Sequence, residues 1–277
     1  MADGGSASTG PLGTVRSAGR AVLAPIEHAG TVVVLAGVSI LWIIRALVSR
    51  DVRLGLGAIS GQVVRVGVRS MFIVALVSGS VGLILTLQLE PPLNNFGQRD
   101  AIARILGVAV LRELGPLIGA IVLTGFAGAA IAAELGTMVV SEEIEALEAH
   151  AIDPVRFLVV PRIIATTVSM TVLAVLADFM AIVAGLGIST LALGVSIQTF
   201  LSQLLAEVGP VDFITGVIKG TIFGIIIGLI ACRNGLRVSG GAEGVGNATT
   251  QTVVQCVVAI VIADLVFTAI FYAFELF

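Results

Sequence analysis

Twenty consecutive residues, Leu114 to Ala133, carry no charge. As a helix rising about 1.5 Å per residue they cover the roughly 30 Å hydrocarbon core of a bilayer. Just beyond them lies an acidic amphipathic segment, Ser141 to Leu158, reading SEEIEALEAHAIDPVRFL. Its carboxylates would each cost kilocalories to bring into lipid. A membrane span is therefore followed by a polar helix held at one membrane face. The whole chain fits that setting, being 57% hydrophobic and only 12% charged, about half the charge of a soluble domain.

Four more apolar runs organise the remainder. Residues 1–28 are rich in Gly, Ser and Ala and read as a loose cytoplasmic tail. A cleaved signal peptide fits poorly, because the first apolar run starts late and exceeds signal length. Ala29 to Val48 is long enough to span, yet it contains Trp42 and Arg45 and is followed at once by Arg50 and Arg53. Trp and Arg together predict a helix lying in the interface or entering one leaflet. With its connector this makes a unit over 29–70, ahead of a membrane domain over 71–277. Spans are predicted over Phe72–Leu89, Leu114–Ala133, Ile163–Leu186, Phe213–Cys232 and Val253–Phe274. The first should stop at Glu90-Pro91-Pro92, since proline lacks a donor and restricts the residue before it. Residues 93–112 read as a polar, partly helical connector, Gln198–Glu207 as a short helix outside the lipid core, and Ser239–Thr250 as a Gly-rich loop. The fold class expected is an all-α integral membrane protein with five transmembrane helices behind an N-terminal interfacial helix.

Basic residues orient this topology. With five spans and the N-terminus inside, Arg16, Arg20, Arg45, Arg50, Arg53, Arg65, Arg69, Arg156, Arg162, Arg233 and Arg237 fall inside. Only Arg99, Arg104, Arg112 and Lys219 fall outside. The asymmetry follows the positive-inside rule and puts the acidic segment in the cytoplasm.

Within that segment Ser141 is a plausible N-cap, with Glu142 and Glu143 at the positive end of the helix dipole. Ile144, Leu147 and Ala151 share one face, Glu145 and Glu148 point elsewhere, and Asp153-Pro154 ends the helix before Arg156. The segment is either a docking helix whose apolar ridge enters a partner's groove or a solvated loop with ordinary helix punctuation. Gly115/Gly119 and Gly220/Gly224/Gly228 form small faces that allow close helix approach, within the chain or at a dimer seam. Ionisable residues in spans are candidates for function. Arg112-Glu113 reads as an interfacial anchor pair or as a polar gate at the mouth of a cavity. Asp178 and Asp264 lie deeper, in a hydrogen-bonded structural role or a transport role, and Lys219 is expected to snorkel outward.

Other chemistries find little support. There is no GxxxxGK[ST], so nucleotide hydrolysis is not expected of this chain. His28 and His150 have no nucleophile in motif context, HExxH is absent, and Cys232 and Cys256 form no metal pattern and read as buried free thiols. No catalytic residue, metal or cofactor is expected, and a net charge of −3 gives no basis for a nucleic-acid partner.

The motifs ELGP (113–116), AAELGTM (132–138), EEIEALE (142–148), IDP (152–154), VPR (160–162) and GGAEGVGNATT (240–250) resemble the MlaE/YrbE permease family. ADLVFTAIF at 263–271 extends the likeness, which covers about residues 50–275. It implies a multi-pass inner (plasma) membrane permease of an ABC transporter that moves phospholipid or another lipid. Implied partners are a separate ATPase, a second permease copy or paralogue, and MCE-domain proteins. Glu142, Glu143, Ile144, Glu145, Leu147, Glu148, Asp153, Pro154 and Arg156 then correspond to the helix that couples to the ATPase, and Arg112 and Glu113 to a charged pair beside the lipid cavity. Many members carry Arg where this chain has Phe126 and Gly where it has Ala151, which implies a different turn before Asp153. A non-transporting scaffold that anchors an MCE complex is the alternative.

Overall fold

The computed structural model describes residues 30–45 and 56–274, and every regular element among them is helical. Helix α1 covers Gly30–Arg45. It is followed by α2 (Leu56–Val66), α3 (Met71–Asn95), α4 (Ala101–Ala109), α5 (Gly115–Leu123), α6 (Ala129–Val140) and α7 (Glu143–Ala149). The chain closes with α8 (Val160–Leu191), α9 (Ile197–Glu207), α10 (Pro210–Leu236) and α11 (Gly241–Ala273). Five continuous helices are long and apolar enough to cross a membrane: Gly57–Asn95, Ala101–Val140, Val155–Leu191, Pro210–Leu236 and Gly241–Ala273. At 1.5 Å per residue the described part of α1 covers about 24 Å. The expected architecture, five spanning helices behind a shorter N-terminal one, is the one observed. The 1–28 tail with Arg16, Arg20 and His28, and the connector residues Arg50 and Arg53, lie outside the described residues.

The helices are longer than the apolar runs, for identifiable reasons. The first continues through Pro91 and Pro92 to Asn95, each proline forgoing its own backbone hydrogen bond near the helix end. The expected connector 93–112 is helical from Ala101. Its AIARILGVAVL stretch carries one charge, Arg104, and Ile102, Leu106 and Val110 are buried. The Gly-rich stretch after Ser239 is not a loop: Gly240 takes a left-handed φ of 88° and α11 begins at once.

Helix Ala101–Val140 contains two π turns, Val110–Leu114 and Thr124–Gly128, and a third, Val155–Val159, opens the next span. Proline explains two of them. Pro116 and Pro161 follow within two residues, and each ring would strike the carbonyl four residues back, so the preceding turn widens.

Helix α8 is the axis of the bundle. Added Cβ atoms at Gly115 and Gly119 of α5 would meet Asp178 and Met170 of α8. At Gly220, Gly224 and Gly228 of α10 they would meet Ala174, Met170 and Thr166. Both small faces are thus spent on packing inside this chain. Helix α9 lies against α4, where Leu204 covers Gly107 and Phe200 is buried. The bundle has two ends, one carrying α7 and the other α9. At the α7 end, α1 is tied down by Arg233, whose Nε donates to Thr31 Oγ1 at 2.7 Å.

Candidate functional site

The charged residues expected at separate depths converge. Lys219, on α10, is 1% exposed. Its Nζ donates to Glu113 Oε2 at 2.6 Å and Thr268 Oγ1 at 3.0 Å, and Asp264 Oδ1 lies 2.9 Å away. Two of the ammonium's three protons go to Glu113 and Thr268, and the Asp264 carboxylate adds an ion pair without a hydrogen bond. The Thr268 hydroxyl in turn lies 2.9 Å from Glu113 Oε1, to which it can donate. Phe271 places its ring 6.0 Å from the same nitrogen. Lys219 therefore does not snorkel outward. Burial on a packed helix side leaves it no path to water, and two carboxylates replace its hydration.

Arg112, adjacent in the same π turn, pairs through Nε with Asp212 at the start of α10. The π turn sets Arg112 and Glu113 so that each engages a different part of α10. The pair is not an anchor at a helix end, since three turns of helix precede it. Glu113 keeps 32% of its side chain exposed, so the cluster reaches a surface on one side. A groove of about 470 Å³ begins one turn earlier, lined by Val108, Ala109, Arg104 and Ile105 together with Glu207 of α9. Neither Arg112 nor Glu113 lines it.

Asp178 is 2% exposed, sits against Gly115, and neither carboxylate oxygen has a hydrogen-bond partner. The hydrogen-bonded structural role is not what it has. Cys232 and Cys256 are free and buried.

At the opposite end, Glu134 joins three spans. One oxygen pairs with Arg65 of α2, and the other accepts from Arg162 Nη2 of α8 at 3.3 Å. Arg162 Nη1 donates to Leu158 O at 2.9 Å. Thr268, Glu134 and Asp212 are site residues that sequence reasoning passed over. An acid at the edge of an apolar run and another at a helix start each looked like ordinary punctuation.

The acidic segment differs from its expected form. Ser141 does not cap α7; its hydroxyl donates back to Thr137 O at 3.0 Å. The cap position is Glu142, with a left-handed φ of 59°. Ile144 and Leu147 pack against the chain's own core, and Ala151 lies beyond the helix. The apolar ridge is therefore partly covered by the chain itself. What α7 presents outward is its acidic side: Glu142, Glu143, Glu145 and Glu148 are all exposed. Asp153 Oδ1 accepts from the backbone of Val155 at 2.8 Å and Arg156 at 3.2 Å, capping the next span.

Ala151 has φ 58°, the conformation that glycine adopts without penalty. The left-handed region costs an L-residue about 1–2 kcal/mol, of which glycine's greater freedom in the unfolded chain cancels about 0.5–1. Ala151→Gly is expected to be neutral to slightly stabilising and Ala151→Val destabilising, as read by thermal melts of the purified protein.

This is a multi-pass membrane protein with a buried ionic cluster inside its helical bundle and an acidic helix at one end. Residues 59–270 match the family model described as Permease MlaE. A probable ABC transporter permease protein of Rickettsia prowazekii is 34% identical over 195 residues, covering 70% of this chain and 75% of that protein. Another from Synechocystis is 34% identical over 189 residues, covering 68% and 72%. Protein TRIGALACTOSYLDIACYLGLYCEROL 1, chloroplastic, of Arabidopsis thaliana is 34% identical over 189 residues, 68% of this chain and 54% of that protein. The chain belongs to the MlaE permease family, and it is a transmembrane permease subunit.

Proposed function

We infer that this chain is the permease of an ABC transporter that moves lipid between the inner membrane and MCE-domain proteins. The observation that carries this reading is one helix, Ala101–Val140, with the Glu113–Lys219–Asp264 cluster towards one end and α7 immediately after the other. A rigid helix of that kind can convert a push on α7 into a rearrangement around the cluster. Energy comes from a separate ATPase at the cytoplasmic α7 face, and a second permease copy or paralogue completes the cavity. Arg112 and Glu113 border the lipid path. The plant relative's name, that of a glycolipid, supports a lipid cargo.

Because the apolar face of α7 is partly covered by the chain's own core and its acidic side is exposed, the ATPase contact is mainly electrostatic. Glu142→Lys combined with Glu145→Lys should cut recovery of the ATPase in a pull-down of the complex by tenfold or more. Lipid transfer between proteoliposomes and an MCE acceptor should fall with it. Transfer that continues at the unaltered rate after the ATPase is lost would sink the reading and favour a scaffold.

A further inference from the structure

Trp42 of α1 has two cations on its ring. The Arg45 guanidinium carbon lies 5.4 Å from the ring centroid and that of Arg156 lies 5.5 Å away. The two arginines come from different places: Arg45 lies on α1, and Arg156 follows Asp153 at the start of the third span. Among the described residues neither takes part in an ion pair. Asp153, three residues before Arg156, already accepts two backbone N–H groups. Two like charges on one indole repel each other, and stacking on a ring leaves the in-plane N–H donors of each guanidinium unspent. An anion that takes donors from both removes the repulsion, and a phosphate matches the guanidinium fork.

Helix α1 also borders an apolar groove. It holds about 250 Å³ between α1, α8 and α10, and Ile40, Ile43, Ile163, Ile164, Val168 and Leu229 line it. Ile43 is next to Trp42 in sequence, and Ile163 is two turns beyond Arg156. A cationic head site above an apolar slot is complementary to one kind of molecule. Trp and Arg also belong at headgroup depth.

We propose that Arg45, Trp42 and Arg156 bind the headgroup phosphate of an anionic phospholipid whose acyl chain occupies the groove beneath α1. The site lies at the α7 end, away from the Glu113–Lys219 cluster. The bound lipid bridges α1 to the segment that follows α7, holding the short helix against the bundle. The inference does not rest on the transport reading, because it concerns an equilibrium occupant that needs no ATPase.

Trp42 is the only tryptophan in the chain, so its emission reports on this site alone. The full-length protein in detergent, freed of bound lipid, would be titrated with dioctanoyl phosphatidylglycerol. A saturable change in emission is expected, and Arg45→Gln and Arg156→Gln should each weaken the apparent affinity roughly tenfold. Dioctanoylglycerol, which has no phosphate, and inorganic phosphate, which has no chain, should give no saturable change over the same range. An equal response to dioctanoylglycerol would reduce the site to an apolar slot, and an equal response to phosphate would reduce it to a simple anion site; either overturns the proposal. Unchanged affinity in the double Gln variant does the same. Should the Gln variants not purify as single species, Arg45→Lys and Arg156→Lys keep the charge, lose the planar fork, and should still bind more weakly; equal binding overturns the proposal. Native mass spectrometry of the unaltered protein, purified with its lipid, should show phosphatidylglycerol retained, and its absence counts against the site.

Discussion

Lys219→Met should destabilise the protein by about 3–5 kcal/mol, the usual consequence of removing one partner from a buried ion pair. Methionine fills a similar volume, so the loss is electrostatic: Glu113 and Asp264 would face each other across the vacated site without a cation. The partial exposure of Glu113, 32% of its side chain, gives water access to one carboxylate and sets the lower end of that range. Melting of the purified permease, followed by size-exclusion chromatography after heating, reads the effect. The triple variant Lys219→Met, Glu113→Gln, Asp264→Asn removes all three charges together and should recover most of the lost stability, because replacing a complete buried charged set is far cheaper than breaking it. If lipid passes beside Glu113, the triple variant will be folded and silent in lipid transfer. A melting point unchanged by Lys219→Met alone would mean that the three groups are not energetically coupled.

The bundle was legible in the sequence because lipid imposes a simple rule: a spanning segment must satisfy its backbone internally and present apolar side chains. That rule places Leu114–Ala133 and its four counterparts. It does not place their ends, because helix continues wherever apolar residues continue, as AIARILGVAVL does ahead of Arg112. Pairing was less accessible. Lys219 and Glu113 are 106 residues apart, and nothing local to either names the other. A clue to Lys219 was present in its neighbours. Gly216, Gly220 and Gly224 mark the packed side of α10, and a residue adjacent in sequence lies only about 100° round the helix from that stripe. A lysine there is more naturally enclosed than snorkelling. The acidic segment misled in the opposite sense. Its i, i+3 apolar pair Ile144 and Leu147 marks an inward face, but periodicity does not say whether the cover is a partner or the chain itself. Here the chain's own core supplies part of that cover. The stretch around α7 also turns on two left-handed residues, Glu142 and Ala151, and neither residue type announces that conformation.

Gly224→Ala should destabilise the permease, against the ordinary trend for helices. In an exposed helix interior that exchange gains about 1 kcal/mol. At Gly224 the new Cβ would lie 2.8 Å from Met170 Cβ, from Thr166 O and from Thr167 Cα. Two of these three atoms are backbone, so no rotamer change relieves the contact, and α8 and α10 must move apart. Overpacking of this kind costs about 1–3 kcal/mol, enough to reverse the sign of the propensity gain. Gly187 of α8 supplies the comparison, since a Cβ there meets nothing within 4 Å. Gly187→Ala should raise the melting point or leave it unchanged, while Gly224→Ala lowers it and Gly224→Val lowers it further. The separation of α8 and α10 also reaches the ionic cluster, because Lys219 sits one residue before Gly220, whose own Cβ would press on Ala174 at 2.8 Å. Combining Gly224→Ala with Lys219→Met should therefore cost less than the two changes separately, since a seam already opened lets water reach Glu113 and Asp264. Strict additivity in that double-mutant cycle would show that the glycine seam and the charged cluster are independent.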